Sequence, residues 1–117
     1  MEQSRVLAAL AALANGTRLE LVRALIGRGP AGMPAGEIAR HLDVSASRLS
    51  FHLAQLEQAG LISGRRESRN VIYTVDTARM GHVIGYLLND CCRSDPEVCA
   101  CCAADASRPV RACSERL

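Results

Sequence analysis

The sequence predicts a mainly α-helical fold with one small β-hairpin, and three observations indicate this class. Apolar residues recur at helical spacing over residues 2–14, 45–59 and 80–88. Residues 70–75 are rich in β-branched side chains that alternate between two faces, as in a strand. The 117 residues are 49% hydrophobic and 22% charged, so we expect one folded domain and not a disordered chain.

The first three helices are predicted from their caps and breaks. Asn15 or Thr17 caps a second helix where the first one ends. Residues 27–32 contain glycine and proline and form a turn-rich connector. Pro34 suits the first position of a short third helix, because the N–H that proline lacks has no partner there. Asp43 lies in the tight turn after this helix, since aspartate tolerates left-handed backbone geometry.

The fourth helix and the hairpin come after this turn. Ser45 is a favourable N-cap for the fourth helix, which buries a leucine stripe and ends at Gly60 in a left-handed cap. Strands are predicted over residues 61–62 and 70–75, and a polar loop over residues 64–69 joins them. A short helix, a tight turn, a longer helix and a basic hairpin form the pattern of a winged helix-turn-helix.

The helix-turn-helix pattern defines candidate DNA contacts. The second helix of such a pair enters the major groove, and the hairpin reaches the neighbouring backbone. The candidates are polar residues on the fourth helix and arginines of the hairpin: Ser45, Ser47, Arg48, Ser50, His52, Arg65, Arg66 and Arg69. The alternative interpretation is that the arginines form a solvated face and that His52 lies at the edge of the core. The net charge of +2 does not decide the matter, because a local basic surface is what DNA binding requires.

Several short segments resemble the ArsR/SmtB family of metal- and metalloid-responsive repressors. The resemblance covers residues 5 to about 92 and rests on residues 15–20 (Asn-Gly-Thr-Arg-Leu-Glu), 36–39 (Gly-Glu-Ile-Ala), 50–53 (Ser-Phe-His-Leu), 59–62 (Ala-Gly-Leu-Ile) and 66–69 (Arg-Glu-Ser-Arg), with Tyr73. It implies a homodimer that packs through its first and last helices and binds a palindromic operator in double-stranded DNA. The apolar stripe over residues 80–88 independently requires a partner surface.

The resemblance also directs attention to the cysteines, all six of which lie in the last 27 residues. The third helix has no Cys-x-Cys pair, and Ala78 stands where an Asp-x-His zinc motif has its histidine. What remains is similar to family members that bind trivalent arsenic through a vicinal cysteine pair and a third cysteine. The implied ligands are Cys91, Cys92 and Cys99, with Cys101 and Cys102 as alternates for the third position. Cys113 stands alone and is not expected to be a ligand.

Thiolate chemistry supports a soft effector. Cysteine sulfur selects thiophilic ions, and As(III) or Sb(III) prefers three thiolates in a pyramid. A tetrahedral zinc site formed by Cys91, Cys92, Cys99 and Cys102 is an alternative. Further alternatives are a cadmium or lead site and a thiol redox switch. The least specific alternative is that the cysteines are chemically inert.

We therefore expect a repressor released from its operator by As(III) or Sb(III), with no obligatory cofactor. Residues 1–92 are assigned to DNA binding and dimerisation, and residues 91–117 to a cysteine-rich sensing segment and a mobile tail. The sequence shows no nucleophile–base pair or phosphate-binding loop, so we do not expect an enzyme. A cysteine-based reductase or a metal-storage module would leave the helix-turn-helix unexplained. No apolar run approaches 18 residues, and we expect a cytoplasmic protein without a membrane span.

Overall fold

The structure is a computed structural model that describes residues 2–102, with the backbone alone described for residues 101 and 102. The helices are α1 (Gln3–Leu13), α2 (Gly16–Arg28), α3 (Ala35–Leu42), α4 (Ala46–Gln58), α5 (Thr77–Tyr86) and α6 (Pro96–Cys102), and the strands are β1 (Met33–Pro34), β2 (Ile62–Glu67) and β3 (Asn70–Val75). A 3₁₀ turn covers Gly29–Ala31, and a π-helical turn covers Leu87–Cys91. The three strands form one antiparallel sheet in the order β1-β3-β2. The predicted fold class, mainly helical with a winged helix-turn-helix, is confirmed.

The chain divides into two compact units, Met1–Val83 and a second that begins at Ile84. The core of the first unit contains fully buried side chains from α2, α3 and α4, including Leu21, Leu25, Ile38 and Leu56. The helix α1 adds only the small or medium-sized side chains of Val6, Ala9 and Ala12. Among the described residues, no helix combines the length and the apolar character needed to cross a membrane. The functional division predicted near residue 92 stays a prediction.

The predicted caps of the helix-turn-helix are present. The side chain of Asn15 accepts a hydrogen bond from the backbone N–H of Arg18 at 3.1 Å, and the Ser45 hydroxyl accepts one from the N–H of Arg48 at 3.3 Å. Asp43 adopts the left-handed conformation with φ of 54°, and Gly60 has φ of 76° after α4. Asn15 thus begins α2, Asp43 ends α3, and Ser45 and Gly60 bound α4, because such caps satisfy backbone groups that a helix end leaves unpaired.

The hairpin is longer than predicted. Residues 64–67 belong to β2, so the predicted polar loop is wrong, and only Ser68 and Arg69 form the turn. The pairing with β3 explains the extension, because residues 64–67 of β2 lie opposite residues 70–73 in regular register. Gly64 lies opposite Tyr73, and a Cβ there would come within 3.1 Å of the tyrosine ring. Because Gly64 has no side chain, the Tyr73 ring can lie over β2 at this position.

Two further elements differ from the sequence-based prediction. Pro34 lies in β1 and pairs with Ile72, so it precedes α3 as the N-cap and is not the first helical residue. A proline is compatible with this edge position because it has no N–H to leave unpaired. The sequence after residue 91 shows little apolar periodicity, but it contains α6. The Asp95 side chain accepts hydrogen bonds from two backbone N–H groups of that helix, at residues 97 and 98. The tail over residues 103–117 lies outside the described residues.

Candidate nucleic-acid interface and cysteine segment

The helix α4 presents a polar face opposite its buried leucines. Ser47, Arg48 and Ser50 are exposed, whereas Leu49 and Leu53 are buried. The turn before α4 is held by the N–H of Val44, which donates to the carbonyl of Ala39 at 3.1 Å. The exposed face is therefore carried on a helix whose other side is packed in the core.

His52 differs from the other candidates on α4, because its side chain is only 6% exposed. Nη1 of Arg18 lies 3.1 Å from Nδ1 of His52. Since a guanidinium only donates hydrogen bonds, Nδ1 must be the unprotonated acceptor. Burial lowers the pKa of His52 below its usual 6.5, and the nearby charges of Arg18 and Arg48 lower it further. The structure thus favours the core-edge interpretation of His52 over the predicted DNA contact.

Arg18 is a structural residue that the sequence did not single out. Its Nε donates to the carbonyl of Ala12 at 2.6 Å, near the end of α1, while Nη1 contacts His52 on α4. Its own backbone N–H donates to the Asn15 cap. One side chain therefore connects α1, the first turn of α2 and α4. The sequence carried no signal for this contact, because the partners on α2 and α4 are 34 residues apart.

The three arginines of the wing, which we define as β2, β3 and their turn, are exposed but have different roles. All three guanidinium nitrogens of Arg65 donate within the chain. Nε donates to Glu67 at 3.1 Å, and Nη1 and Nη2 donate to the carbonyls of Pro30 and Ala31, also at 3.1 Å each. Arg65 therefore fastens the wing to the 3₁₀ turn, and its predicted DNA contact would require these bonds to be exchanged.

Arg66 and Arg69 have no such internal partners within residues 2–102, where Arg65 alone among the wing arginines forms side-chain hydrogen bonds. The difference follows from strand geometry, because neighbouring residues of a strand point to opposite faces. Arg65 lies opposite Ile72, which is buried, whereas Arg66 lies opposite Val71. The guanidinium groups of Arg66 and Arg69 are therefore the ones available for phosphate.

The predicted metal ligands lie in the second unit. Cys91 is exposed, Cys92 and Cys99 are partly buried, and all three are free thiols. Partial burial raises the pKa of Cys92, and a hydrogen bond with Cys91 and the charges of Cys91, Asp95 and Cys99 raise it further. The thiols of Cys91 and Cys99 are thus near enough to Cys92 to contribute to the rise in its pKa.

Within the described part of the chain, no three histidine, cysteine, aspartate or glutamate side chains are arranged as a metal site. Cys101 and Cys102 end α6, and their side chains lie outside that description. The cysteine ligand set therefore stays a prediction.

Comparison with known proteins adds to this geometry. Residues 13–65, from the end of α1 into β2, match the family described as "Helix-turn-helix domain". The transcriptional activator HlyU of Vibrio cholerae is 33% identical over 86 residues, which are 74% of this chain and 77% of HlyU. A probable mercury resistance operon repressor of Streptomyces lividans is 32% identical over 84 residues, covering 72% of this chain and 63% of that protein.

Solved structures agree with these relatives. An ArsR-like transcriptional regulator from Rhodococcus sp. RHA1 has a TM-score of 0.69 and 26% identity, over 83% of this chain and 89% of that one. The chain belongs to the ArsR family. A homodimeric winged helix-turn-helix DNA-binding domain from Mycobacterium bovis, a possible ArsR-family regulator, has a TM-score of 0.58 and 26% identity over 74% of this chain and 81% of that one. This ArsR-family protein is accordingly a DNA-binding transcription regulator and not an enzyme.

Proposed function

We propose that this ArsR-family protein is a homodimeric repressor, released from a palindromic operator when As(III) or Sb(III) binds its cysteines. The observation that carries the proposal is the combination of an exposed polar face on α4 with three free thiols at residues 91, 92 and 99. The first feature would contact DNA, and the second supplies the thiols that a thiophilic effector would draw together. Its place of action is the cytoplasm, where operator DNA is accessible.

DNA recognition is divided between α4 and the wing. Arg48 can donate two hydrogen bonds to a guanine edge in the major groove, and the hydroxyls of Ser47 and Ser50 suit phosphate oxygens. Arg66 and Arg69, whose guanidinium groups have no hydrogen-bond partner within residues 2–102, would reach the neighbouring DNA backbone. Arg65 supports the wing from behind through its bonds to the 3₁₀ turn.

Dimerisation is supported by an exposed side chain on α1 and by the Mycobacterium bovis neighbour, which is homodimeric. Leu7 is 56% exposed in the single chain, although leucine gains about 1.5–3 kcal/mol from full burial. A second copy packed on α1 would cover it. Two recognition helices related by two-fold symmetry contact half-sites about 34 Å apart, or one turn of DNA.

The thiol chemistry favours the metalloid over a divalent cation. Partial burial and the neighbouring groups raise the pKa of Cys92, which favours its thiol over its thiolate. Arsenous acid exchanges its three hydroxyls for three thiols and releases three waters, with no net loss of protons. A divalent cation must instead displace the thiol protons, and peroxide needs the thiolate. The relative from a mercury resistance operon supports a thiophilic effector in general.

Release from DNA requires that the effector bind the DNA-free form more tightly, and that DNA weaken effector binding by the same factor. A coupling free energy of about 1–3 kcal/mol changes operator affinity by roughly 5- to 150-fold. That range is sufficient to switch a promoter.

The test measures binding of the full chain to DNA from upstream of its own gene by fluorescence anisotropy. Arsenite, antimonite, cadmium, zinc, lead and peroxide are titrated against the wild type and against Cys91→Ser, Cys92→Ser and Cys99→Ser. We expect release by arsenite or antimonite, lost in the first two variants, and an arsenite midpoint that changes little between pH 6.5 and 8.

Cys113→Ser is the matched control and should keep the wild-type response. Release by cadmium alone, with a midpoint that tightens as the pH rises, would assign the site to a divalent cation. Release by peroxide alone would assign it to thiol oxidation. Either result would contradict the metalloid proposal and leave the DNA-binding half intact.

A further inference from the structure

An aromatic side chain stands on the exposed face of the recognition helix α4. Phe51 is the chain's one phenylalanine, and it is 58% exposed. At about 100° per residue, it lies roughly 170° around the helix from the mean direction of the buried Leu49, Leu53 and Leu56. The side chain therefore points away from the core and into solvent.

The ring of Phe51 is held in a defined setting. Its centroid lies 5.6 Å from that of the His52 ring, and the two planes meet at 66°, an edge-to-face arrangement. His52 is in turn fixed by its contact with Arg18. Ser47, Arg48, Phe51 and His52 line a shallow surface cavity of about 360 Å³. The cavity is thus lined by aromatic rings, a cationic guanidinium group and a hydroxyl group.

We propose that Phe51 contacts the C5-methyl group of a thymine in the operator and so contributes to sequence specificity. The proposal rests on the proposed function, in which α4 enters the major groove. The thymine methyl is the apolar group that base edges present in that groove, and apolar side chains are its natural partners. Arg48, three residues before Phe51 on the same face, supplies a hydrogen-bond donor for a neighbouring guanine or phosphate.

The surroundings of Phe51 favour DNA over a protein partner. Of the exposed residues nearest in sequence on this face, Ser47, Arg48 and Ser50 are polar or positively charged, and Ala54 adds only a methyl group. A protein-docking patch would need a larger continuous apolar area. A single ring among hydroxyls and a guanidinium matches a groove in which one methyl group lies among hydrogen-bonding atoms and phosphates.

The test uses deoxyuridine, which differs from thymidine only by the missing methyl group and pairs in the same way. Duplexes are first enriched from a random pool with the full wild-type protein. Each thymine of the enriched sequence is then replaced singly by deoxyuridine, and Kd is measured by anisotropy at fixed salt. Removing one buried methyl group is expected to weaken wild-type binding about fourfold at one position in each half-site.

Phe51→Ala is expected to bind the thymine duplex more weakly and to bind the thymine and deoxyuridine duplexes equally at that position. Leu19→Ala, which removes an apolar side chain that is 55% exposed on α2, is the matched control and should keep the fourfold difference. Thermal unfolding of both variants is measured as a control that they are folded.

The proposal is overturned if no thymine replacement weakens wild-type binding by more than about 1.5-fold, or if Phe51→Ala retains the methyl dependence. A change of oligomeric state in Phe51→Ala, without any methyl dependence in the wild type, would assign the ring to contact between copies of the chain and would likewise overturn it. If the wild type enriches no duplex at all, the proposed function fails first, and the two failures are thereby distinguished.

Discussion

Replacing Arg18 by alanine is expected to destabilise the protein far more than an ordinary surface substitution. The change removes two side-chain hydrogen bonds, one to the carbonyl of Ala12 and one to Nδ1 of His52. Hydrogen bonds from a charged donor contribute about 1.5–3 kcal/mol each. Taking the lower value for these partly buried bonds, we expect Arg18→Ala to lower the free energy of unfolding by about 3 kcal/mol.

That loss corresponds to roughly 12 °C in Tm for a domain of about 100 residues. The assay is urea unfolding followed by circular dichroism, at one protomer concentration and with the thiols kept reduced, because association also affects apparent stability. Arg23→Ala is the matched control from the same helix. The side chain of Arg23 is 81% exposed and lies 3.6 Å from Glu20, so its removal should cost no more than about 0.5 kcal/mol.

The double variant Arg18→Ala/His52→Ala distinguishes the contact from general damage. With both partners removed, the Nδ1 acceptor of His52 is no longer left unpaired, and the loss should be smaller than the sum of the two single losses. Two results would refute the role of Arg18 as the connection between α1 and α4. One is that the losses of unfolding free energy in Arg18→Ala and Arg23→Ala differ by less than about 1 kcal/mol. The other is that the loss in the double variant equals the sum of those in Arg18→Ala and His52→Ala.

Three further predictions concern the core edge, the wing and α5. Because the pKa of His52 is lowered below 6.5 in the folded chain, the unfolded chain takes up the proton more readily. The contribution of neutral His52 to the free energy of unfolding is therefore complete above pH 6.5 and declines as the pH falls toward the pKa of the folded chain. His52→Asn keeps an acceptor but does not titrate, so it should flatten this part of the curve when urea midpoints are measured across a pH series. Gly64→Ala should lower the free energy of unfolding by about 1–3 kcal/mol in the same assay, because its Cβ would be forced against the neighbouring strand at 2.9 Å. Gly81→Ala, whose Cβ would have no described atom within 4 Å, should raise it by up to about 1 kcal/mol. Equal effects of the two substitutions would contradict the packing argument. Arg66→Ala should weaken DNA binding and reduce the slope of log Kd against log salt by about 1, whereas Arg65→Ala should mainly lower Tm; the reverse pattern would mean that the two strand faces were assigned wrongly.

Local signals account for the parts of the fold that were predicted. Asn15 and Ser45 are caps that bond to backbone groups only three residues away. Asp43 and Gly60 adopt positive φ angles, which aspartate tolerates and which glycine allows because it has no Cβ. The helical spacing of the leucines in α4 likewise depends on neighbouring residues alone. Interactions of this range can be inferred without knowing where the rest of the chain lies.

Long-range contacts account for most of what was missed. Arg65 and Arg66 are adjacent in sequence and chemically identical, yet one is bonded to carbonyls 34 and 35 residues away and the other is not. The short strand β1 exists because Met33 and Pro34 pair with Tyr73 and Ile72 of β3. A two-residue strand has no periodicity of its own, so nothing local could indicate it.

The sequence by itself determined the helix-turn-helix, its caps, the buried stripe of α4 and the concentration of cysteines after residue 90, because each depends on residue type and short spacing. The tertiary structure alone decided which polar side chains form hydrogen bonds within the chain. It placed His52 under Arg18, bound Arg65 to the 3₁₀ turn, and left Arg66, Arg69 and Phe51 exposed. The physical reason is that a side chain's partners are set by which distant elements pack beside it, and the sequence near that residue does not encode them.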